Sequence, residues 1–202
     1  MALLSDLVIQ TAPPESPILG DLDGARRVLD SRGIRYPEDY WELLAHYGAG
    51  NFYEFPLMIE PFNPCLPDFA SRLAYVEDAK IGSVSDGLFD SGHWVPLAQE
   101  RERVLFANVE PTRVKHLAFV SLGSQDEYDL FDTTVTDFIH EYPHPSMQTK
   151  IWGDATEALS PKQLKFYQSA TVSPPPPHWF ELERRRFVDL ARELDPFQVS
   201  IT

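Results

Sequence analysis

Closely spaced strand candidates in the middle of the chain most constrain its fold. They are short runs rich in β-branched and aromatic residues, and the stretches between them are too short to hold a helix. Together with helices before and after them, they predict an α+β fold with a central, mostly antiparallel sheet flanked by helices, and not the strand–helix alternation of a doubly wound fold. A shorter strand-like run, Phe52 to Ile59, comes first. The four main candidates are Trp94 to Ala98, Val104 to Val109, His116 to Leu122 and Tyr128 to Phe131.

Capping residues and the helical spacing of apolar side chains predict the helices. The first begins near Asp21 or Asp23 and stops at Gly33. The second begins at Pro37, where a first helical turn tolerates proline, and ends at Gly48. A short helix over 68–78 precedes the main strands. The last helix begins near Thr133 or Thr134 and buries residues one turn apart, namely Val135, Phe138, Ile139 and Tyr142.

Prolines and a change of composition divide the chain into three parts. Residues 1–20 are predicted as an N-terminal arm, which is extended from Thr11 to Pro17. Residues 21–142 form the α+β domain. Residues 143–202 form a helical C-terminal extension with a proline-rich spacer.

Within this extension, Ser160 and Pro161 predict the N-cap and first turn of a helix that ends near Gln168. The four prolines from Pro174 to Pro177 predict a stiff, extended spacer. An amphipathic helix over 178–193 follows it. The extension is therefore predicted to be semi-independent of the domain.

The charge of the chain is concentrated in its middle. The net charge is -14, and residues 36–149 hold six basic and nineteen acidic side chains, a net of -13. Such a surface repels phosphate, which disfavours nucleic acids and anionic membranes as partners. It attracts a basic protein partner, and the alternative is that the charge serves solubility alone.

Two acidic groups are the predicted binding surface for such a partner. One lies on the short second helix, near Trp41, which stands off the main apolar stripe and is a candidate contact anchor. The other lies in a stretch without any lysine or arginine, from His116 to Thr149. The predicted partner-binding residues are Glu38, Asp39, Trp41, Glu42, Asp126, Glu127, Asp129 and Asp132.

The sequence His140-Glu141-Tyr142-Pro143-His144 matches the H-E-x-x-H pattern of zinc proteases. That chemistry needs both histidines on one helical face. Pro143 lacks an amide hydrogen, and it disfavours helical geometry at Tyr142. The pattern is therefore predicted to fall at the end of a helix, where His140 and His144 do not form a pair of metal ligands. We accordingly expect no bound metal and no cofactor. A metal-dependent hydrolase using His140, Glu141 and His144 remains a third hypothesis.

No other motif indicates an enzyme. The lone Cys65 is interpreted as a buried thiol, in preference to a nucleophile. Because a single cysteine forms no internal disulfide, the chain is expected in the reducing cytoplasm. No basic residue precedes Arg26, so no secretory leader is expected. The sequence does not determine an oligomeric state.

The run from Ile34 to Gly50 resembles the signature of the SUKH superfamily, the bacterial polymorphic-toxin immunity proteins related to the yeast cell-wall-synthesis regulator. It has an apolar residue and a proline, an acidic–aromatic pair, a short apolar helix and a glycine-rich stop. The strand pattern from Phe55 to Ile59, the run from Trp94 to Ala98 and the last helix around Phe138 also fit. The resemblance covers about residues 20 to 142.

The resemblance implies an α+β domain without catalytic residues that binds and inhibits a cognate toxin, frequently a nuclease. The first hypothesis is therefore an immunity protein that blocks a basic toxin domain with its acidic surface. The runner-up is a regulatory or scaffold module of the same fold.

Overall fold

Five antiparallel strands form the central sheet of the computed structural model, and each one pairs with the next strand of the sheet along the chain. The structure describes residues 4–54, 58–66, 69, 71–76, 87–90, 92–101, 103–111, 113–121, 128–147, 160 and 162–168. The strands of this sheet are β2 (Glu60–Pro61), β3 (Trp94–Glu100), β4 (Arg103–Glu110), β5 (Arg113–Ser121) and β6 (Tyr128–Phe131). This arrangement confirms the predicted α+β class and each of the four main strands.

The middle strands of the sheet are covered on both faces. β4 is buried at every position between its two ends, and it pairs with β5 along its whole length. Such continuous burial is expected where a strand has a run of apolar residues that does not alternate with polar ones.

The two edge strands of the sheet are β2 and β6, and they differ in composition and exposure. β2 contains Pro61, which an edge strand tolerates, and β6 exposes 54% of Leu130 at the other edge.

Two helices, α2 (Leu22–Ser31) and α5 (Val135–Glu141), begin after a residue whose side chain satisfies a free amide group. Asp21 accepts a hydrogen bond from the Gly24 amide at 2.8 Å, and Thr134 accepts one from the Asp137 amide at 3.1 Å. Gly33 follows α2 with a φ of 75°, as its predicted role as a stop requires. The helices are α1 (Leu4–Gln10), α2 (Leu22–Ser31), α3 (Glu38–Tyr47), α4 (71–76) and α5 (Val135–Glu141), and residues 145–147 are also helical.

α3 is anchored to the sheet by a tyrosine. The Tyr40 hydroxyl donates to the Leu97 carbonyl oxygen of β3 at 2.6 Å and also lies 2.9 Å from the Phe62 carbonyl oxygen. Tyr40 is fully buried, so this bond provides its hydroxyl with the partner that burial requires. The first turn of α3 is thereby held against β3.

The predicted N-terminal arm contains a helix that belongs to the core. Leu7 of α1 is 0% exposed, and α1 packs against α5. The residues after it are tied to α3, because the Tyr47 hydroxyl donates to the Thr11 carbonyl oxygen at 2.7 Å. The expectation of an arm over residues 1–20 is corrected accordingly. Apolar residues at Leu4, Leu7 and Val8 give this helix its buried face.

The predicted helix from Ser160 to Gln168 is wrong. Ser160 begins a tight turn, in which its carbonyl oxygen accepts from the Gln163 amide at 2.8 Å, and the chain then forms strand β7 (Phe166–Gln168). β7 pairs antiparallel with β1 (Gly50–Phe52). The strand prevails because Phe166 packs against buried aromatic rings, and this contact outweighs the local preference for a helix start. The proline-rich spacer and the last predicted helix lie outside the described residues.

The predicted strand from Phe52 to Ile59 is interrupted. β1 ends at Phe52, because Tyr53 has a φ of 67°, which breaks the extended conformation. Phe52 and Ile59 then face each other across a single bridge.

Among the described residues, no helix combines the length and the apolar character that crossing a membrane requires.

Candidate functional site

One residue of the first predicted acidic group, Asp39, lies at the N-terminus of α5, and Asp132 of the second group precedes that helix in the chain. The Val135 amide, at the first residue of this helix, donates to Asp39 Oδ2 of α3 at 2.8 Å. Asp132 lies only three residues before Val135, directly after β6. Glu38 and Glu42 are one turn apart on α3, so they project from the same side of that helix. We call the exposed residues Glu38, Glu42 and Asp132 the acidic face.

Asp132 is a highly exposed carboxylate of this face. Its side chain is 85% exposed, and Oδ1 lies 2.6 Å from His116 Nδ1 of β5. Asp129, on β6, is half-buried, and burial raises the pKa of its carboxyl against the opposing charge of Arg103. Of these two predicted partner-binding residues, Asp132 is thus the one that is exposed. Asp126 and Glu127 lie outside the described residues.

Glu38 is partly neutralised by a neighbour in α2. Arg26 donates to both of its carboxylate oxygens, with Nη1 3.0 Å from Oε2. The hydrogen bond to Glu38 is the main reason that the pKa of Arg26 is raised. Glu42 is exposed, so it and Asp132 carry most of the negative charge that this face offers to a partner.

The prediction that Trp41 stands apart as a contact anchor is wrong. Trp41 is 8% exposed, with its ring edge-on to Tyr36 at 5.9 Å between ring centres. The guanidinium of Arg26 covers it from α2 at 5.7 Å. α3 is packed on more than one side, so a residue off its main apolar stripe is buried as well.

Asp39 positions α5 and is not an open surface group. Its carboxylate accepts hydrogen bonds from the backbone amides of Val135 and Thr136, the first residues of that helix. Burial raises the pKa of Asp39, while these amide hydrogen bonds oppose the rise. A negative charge held at a helix N-terminus stabilises the helix, and the charge is not free to meet a partner. Its predicted role in partner binding is corrected to a positioning role.

The H-E-x-x-H segment behaves differently from the prediction. α5 ends at Glu141, as expected, but Tyr142 keeps helical angles, with φ -51° and ψ -41°. His140, Glu141 and His144 each offer one ligand atom, and these atoms all lie within 4.8 Å of one another. Pro143 therefore does not prevent these groups from converging, contrary to the prediction.

Side chains from distant segments explain why Pro143 is tolerated. A residue with an amide hydrogen at position 143 would donate to the Ile139 carbonyl oxygen, and here the Tyr53 hydroxyl donates to it at 2.5 Å. Gln10 Nε2 donates to the next carbonyl oxygen, that of His140, at 3.1 Å. The helix end thus has its acceptors satisfied without an amide from proline.

Gln10 is the residue of this region that sequence reasoning missed. It lies at the end of α1, 130 residues before His140, and its Oε1 is 3.4 Å from His144 Nε2. The spacing of Leu4, Leu7 and Val8 is a signal for the helix that carries it. No local pattern indicates what Gln10 contacts.

Cys65 fits the interpretation as a structural thiol. Its side chain is fully buried, and burial raises the pKa of the thiol to about 11. The thiolate needed for nucleophilic attack is therefore disfavoured at neutral pH. This finding confirms the expectation of a buried thiol.

Glu100, the last residue of β3, is a buried carboxyl that sequence reasoning did not single out. Its side chain is 1% exposed, and Arg101 Nε lies 3.5 Å from Oε1. Burial raises the pKa of Glu100, and the charges of Arg101 and Arg103 oppose this rise. The folded protein then binds this proton more tightly than the unfolded chain does. The stabilisation from protonation is present at low pH and is lost as the pH rises toward neutrality.

We expect Glu100→Gln to raise the melting temperature at about pH 7 and to shrink the difference in melting temperature between about pH 5 and about pH 7. Removing the charge removes the cost of burying it. Thermal unfolding followed by circular dichroism at several pH values measures both effects. Glu110→Gln is the control, since Glu110 is exposed. An unchanged pH profile in Glu100→Gln would contradict the argument.

Neither a protein-family model, nor a curated protein, nor a solved structure matches this chain significantly.

Proposed function

We propose that this chain is a cytoplasmic immunity protein, which neutralises a basic cognate toxin domain by covering it with the acidic face. The favoured toxin class is a nuclease. Inhibition is stoichiometric and involves no chemistry on the part of this chain. The observation that carries the proposal is the exposure of Glu42 on α3 and of Asp132 directly after β6, one carboxylate from each of the two predicted acidic groups.

Electrostatics supports the choice of partner. A nuclease binds phosphate groups, so its substrate surface is basic, and a partner of net charge -14 is drawn to that surface. The carboxylates of the acidic face then occupy the positions that phosphates take. The resemblance of residues 34–50 to the SUKH signature supports the same function.

The rigidity of the face also favours binding. Asp39 ties α3 to α5, and Arg26 holds Glu38, so the acidic side chains start from positions that are already ordered. A preorganised surface loses less conformational entropy on association than a mobile one does. The residues that hold the face together are therefore different from those that meet the partner.

The first experiment identifies the partner. The gene that neighbours this one in the genome would be expressed alone and together with this chain. We expect its product to arrest growth when expressed alone, and to be neutralised by this chain in a one-to-one complex that can be purified. A complex that does not relieve toxicity would favour the regulatory or scaffold alternative. Absence of any complex with the neighbouring product would overturn the assignment of partner.

Charge reversal tests the surface itself. With the toxin domain as partner, we expect Glu42→Lys and Asp132→Lys to slow association by about tenfold at low salt and to flatten its salt dependence. Glu15→Lys is the matched control, because it changes the net charge by the same amount at an exposed position outside the acidic face. Stopped-flow or surface-binding kinetics across a salt series measures the rates.

Equal effects of all three variants would show that net charge matters and this face does not. Unchanged association in Glu42→Lys and Asp132→Lys, with circular dichroism of the free protein intact, would rule out the acidic face as the recognition surface.

A further inference from the structure

Three groups with metal-ligand chemistry meet at the C-terminal end of α5. His140 ends the helix together with Glu141, and His144 follows after one more turn. The two imidazole rings are 5.7 Å apart between centres, and a ligand atom from each of the three residues lies within 4.8 Å of the others. Two imidazoles and one carboxylate are a ligand set that suits zinc.

We propose that His140, Glu141 and His144 bind one Zn²⁺ ion. The site is independent of the acidic face, because it lies at the opposite end of α5, a helix about 10 Å long. It therefore does not rest on the function proposed above.

The backbone of the turn holds the two histidines on one side. Tyr142 keeps helical angles, and the His144 amide donates to the Glu141 carbonyl oxygen at 2.9 Å. Histidines four residues apart then lie one above the other, as zinc-binding helices require. The side chains of Glu141 and His144 are exposed, so an ion reaches them from solvent without a change of fold.

A second observation, independent of the ligands, supports the site. Metal-binding histidines generally donate the other ring N–H to an oxygen, which fixes the orientation of the ring. Gln10 Oε1 lies 3.4 Å from His144 Nε2 and offers such an acceptor. The Gln10 amide nitrogen is itself held by the His140 carbonyl oxygen and by the Tyr53 hydroxyl, at 3.1 and 3.2 Å. Gln10 is therefore a positioning residue for the site.

The proposal is metal binding without hydrolysis. In zinc proteases of the H-E-x-x-H type, the glutamate stays off the metal and acts on the bound water. Here Glu141 is itself one of the three converging groups, and its Oε1 is 3.0 Å from His140 Nδ1. An ion between them uses the carboxylate as a ligand, so this glutamate does not serve as the base.

The test uses the full chain, freed of metal with a chelator and titrated calorimetrically with Zn²⁺ at constant pH. We expect one ion per chain, and we expect His144→Gln to weaken binding by about tenfold or more. His46→Gln is the matched control, since His46 is an exposed histidine of α3 outside the cluster. Co²⁺ used in place of Zn²⁺ should give visible absorption bands that are absent in His144→Gln.

The exposed position of His144 means that its replacement leaves the fold intact, which the melting temperature of the metal-free variant verifies. Glu141→Gln, also at an exposed position, should weaken Zn²⁺ binding in the same direction. The proposal is overturned if no stoichiometric binding occurs, or if His46→Gln weakens binding as much as His144→Gln does.

Discussion

Deleting residues 160–202 is expected to lower the stability of the protein by about 4 kcal/mol, whereas deleting residues 170–202 leaves a folded core. The longer deletion removes β7, and with it Phe166, which packs at 5.0 Å from Phe52 and 5.2 Å from Tyr47 between ring centres. It also removes the Lys165 carbonyl oxygen, to which the buried Tyr53 amide donates at 2.8 Å.

The magnitude follows from the contacts that are lost. Each aromatic pair contributes about 1 kcal/mol beyond its buried area, and each backbone hydrogen bond about 1 kcal/mol. A loss of about 4 kcal/mol is a large part of the 5–15 kcal/mol that is typical of a domain. The shorter deletion leaves all of β7 in place, including Gln168, whose side chain donates to the Ser16 carbonyl oxygen at 2.9 Å.

Thermal and urea unfolding of both truncated proteins measures this difference. The two deletions share the loss of residues 170–202, so any further loss in the longer one reports on residues 160–169. Equal stability of the two would show that β7 contributes little. Loss of cooperative unfolding in the shorter deletion would show that residues 170–202 belong to the core.

The second large effect is expected from Asp39→Ala, which should destabilise the protein by about 2 kcal/mol. The substitution leaves the amides of Val135 and Thr136, at the start of α5, without their acceptor in a site that is largely buried. Asp39→Asn keeps an acceptor oxygen without the charge, so its effect should be smaller. Urea unfolding of the free protein measures each change.

Glu42→Ala, on the same helix, is the control, and it should change the stability by less than about 0.5 kcal/mol because Glu42 is exposed. Comparing Asp39→Ala with Glu42→Ala distinguishes a residue that positions α5 from one that is only exposed on the surface. If Asp39→Ala left the free protein as stable as the wild type, the positioning role would be wrong, and the original prediction of a surface contact would be restored.

Patterns within a few residues determined much of this fold. The strand from Tyr128 to Phe131 and the caps at Asp21 and Thr134 were predictable because the residues that form them are neighbours in the chain. The side chains of the two caps satisfy amides three residues away, and successive side chains of the strand point to opposite faces of the sheet. Such interactions leave a periodicity or a residue preference that can be read without knowing the rest of the molecule.

The candidate site depended on contacts between distant segments. Asp39 and Val135 are 96 residues apart, and Gln10 and His140 are 130 apart. A side-chain hydrogen bond of this kind needs one acceptor and one donor and leaves no repeating pattern in either segment. The sequence therefore showed Asp39 as one acid among several, and it did not indicate a partner for Gln10.

The difference between local patterns and contacts between distant segments also explains which predictions were correct and which were wrong. The sequence by itself determined the α+β class, the main strands and the concentration of negative charge, since these depend on composition and on local periodicity. Only the tertiary structure decided that Trp41 is covered, that residues 166–168 form a strand and that His144 faces His140. In each case a group from another segment supplies the deciding interaction. Arg26 covers Trp41, and β1 pairs with residues 166–168. The Tyr53 hydroxyl satisfies the helix end that precedes His144.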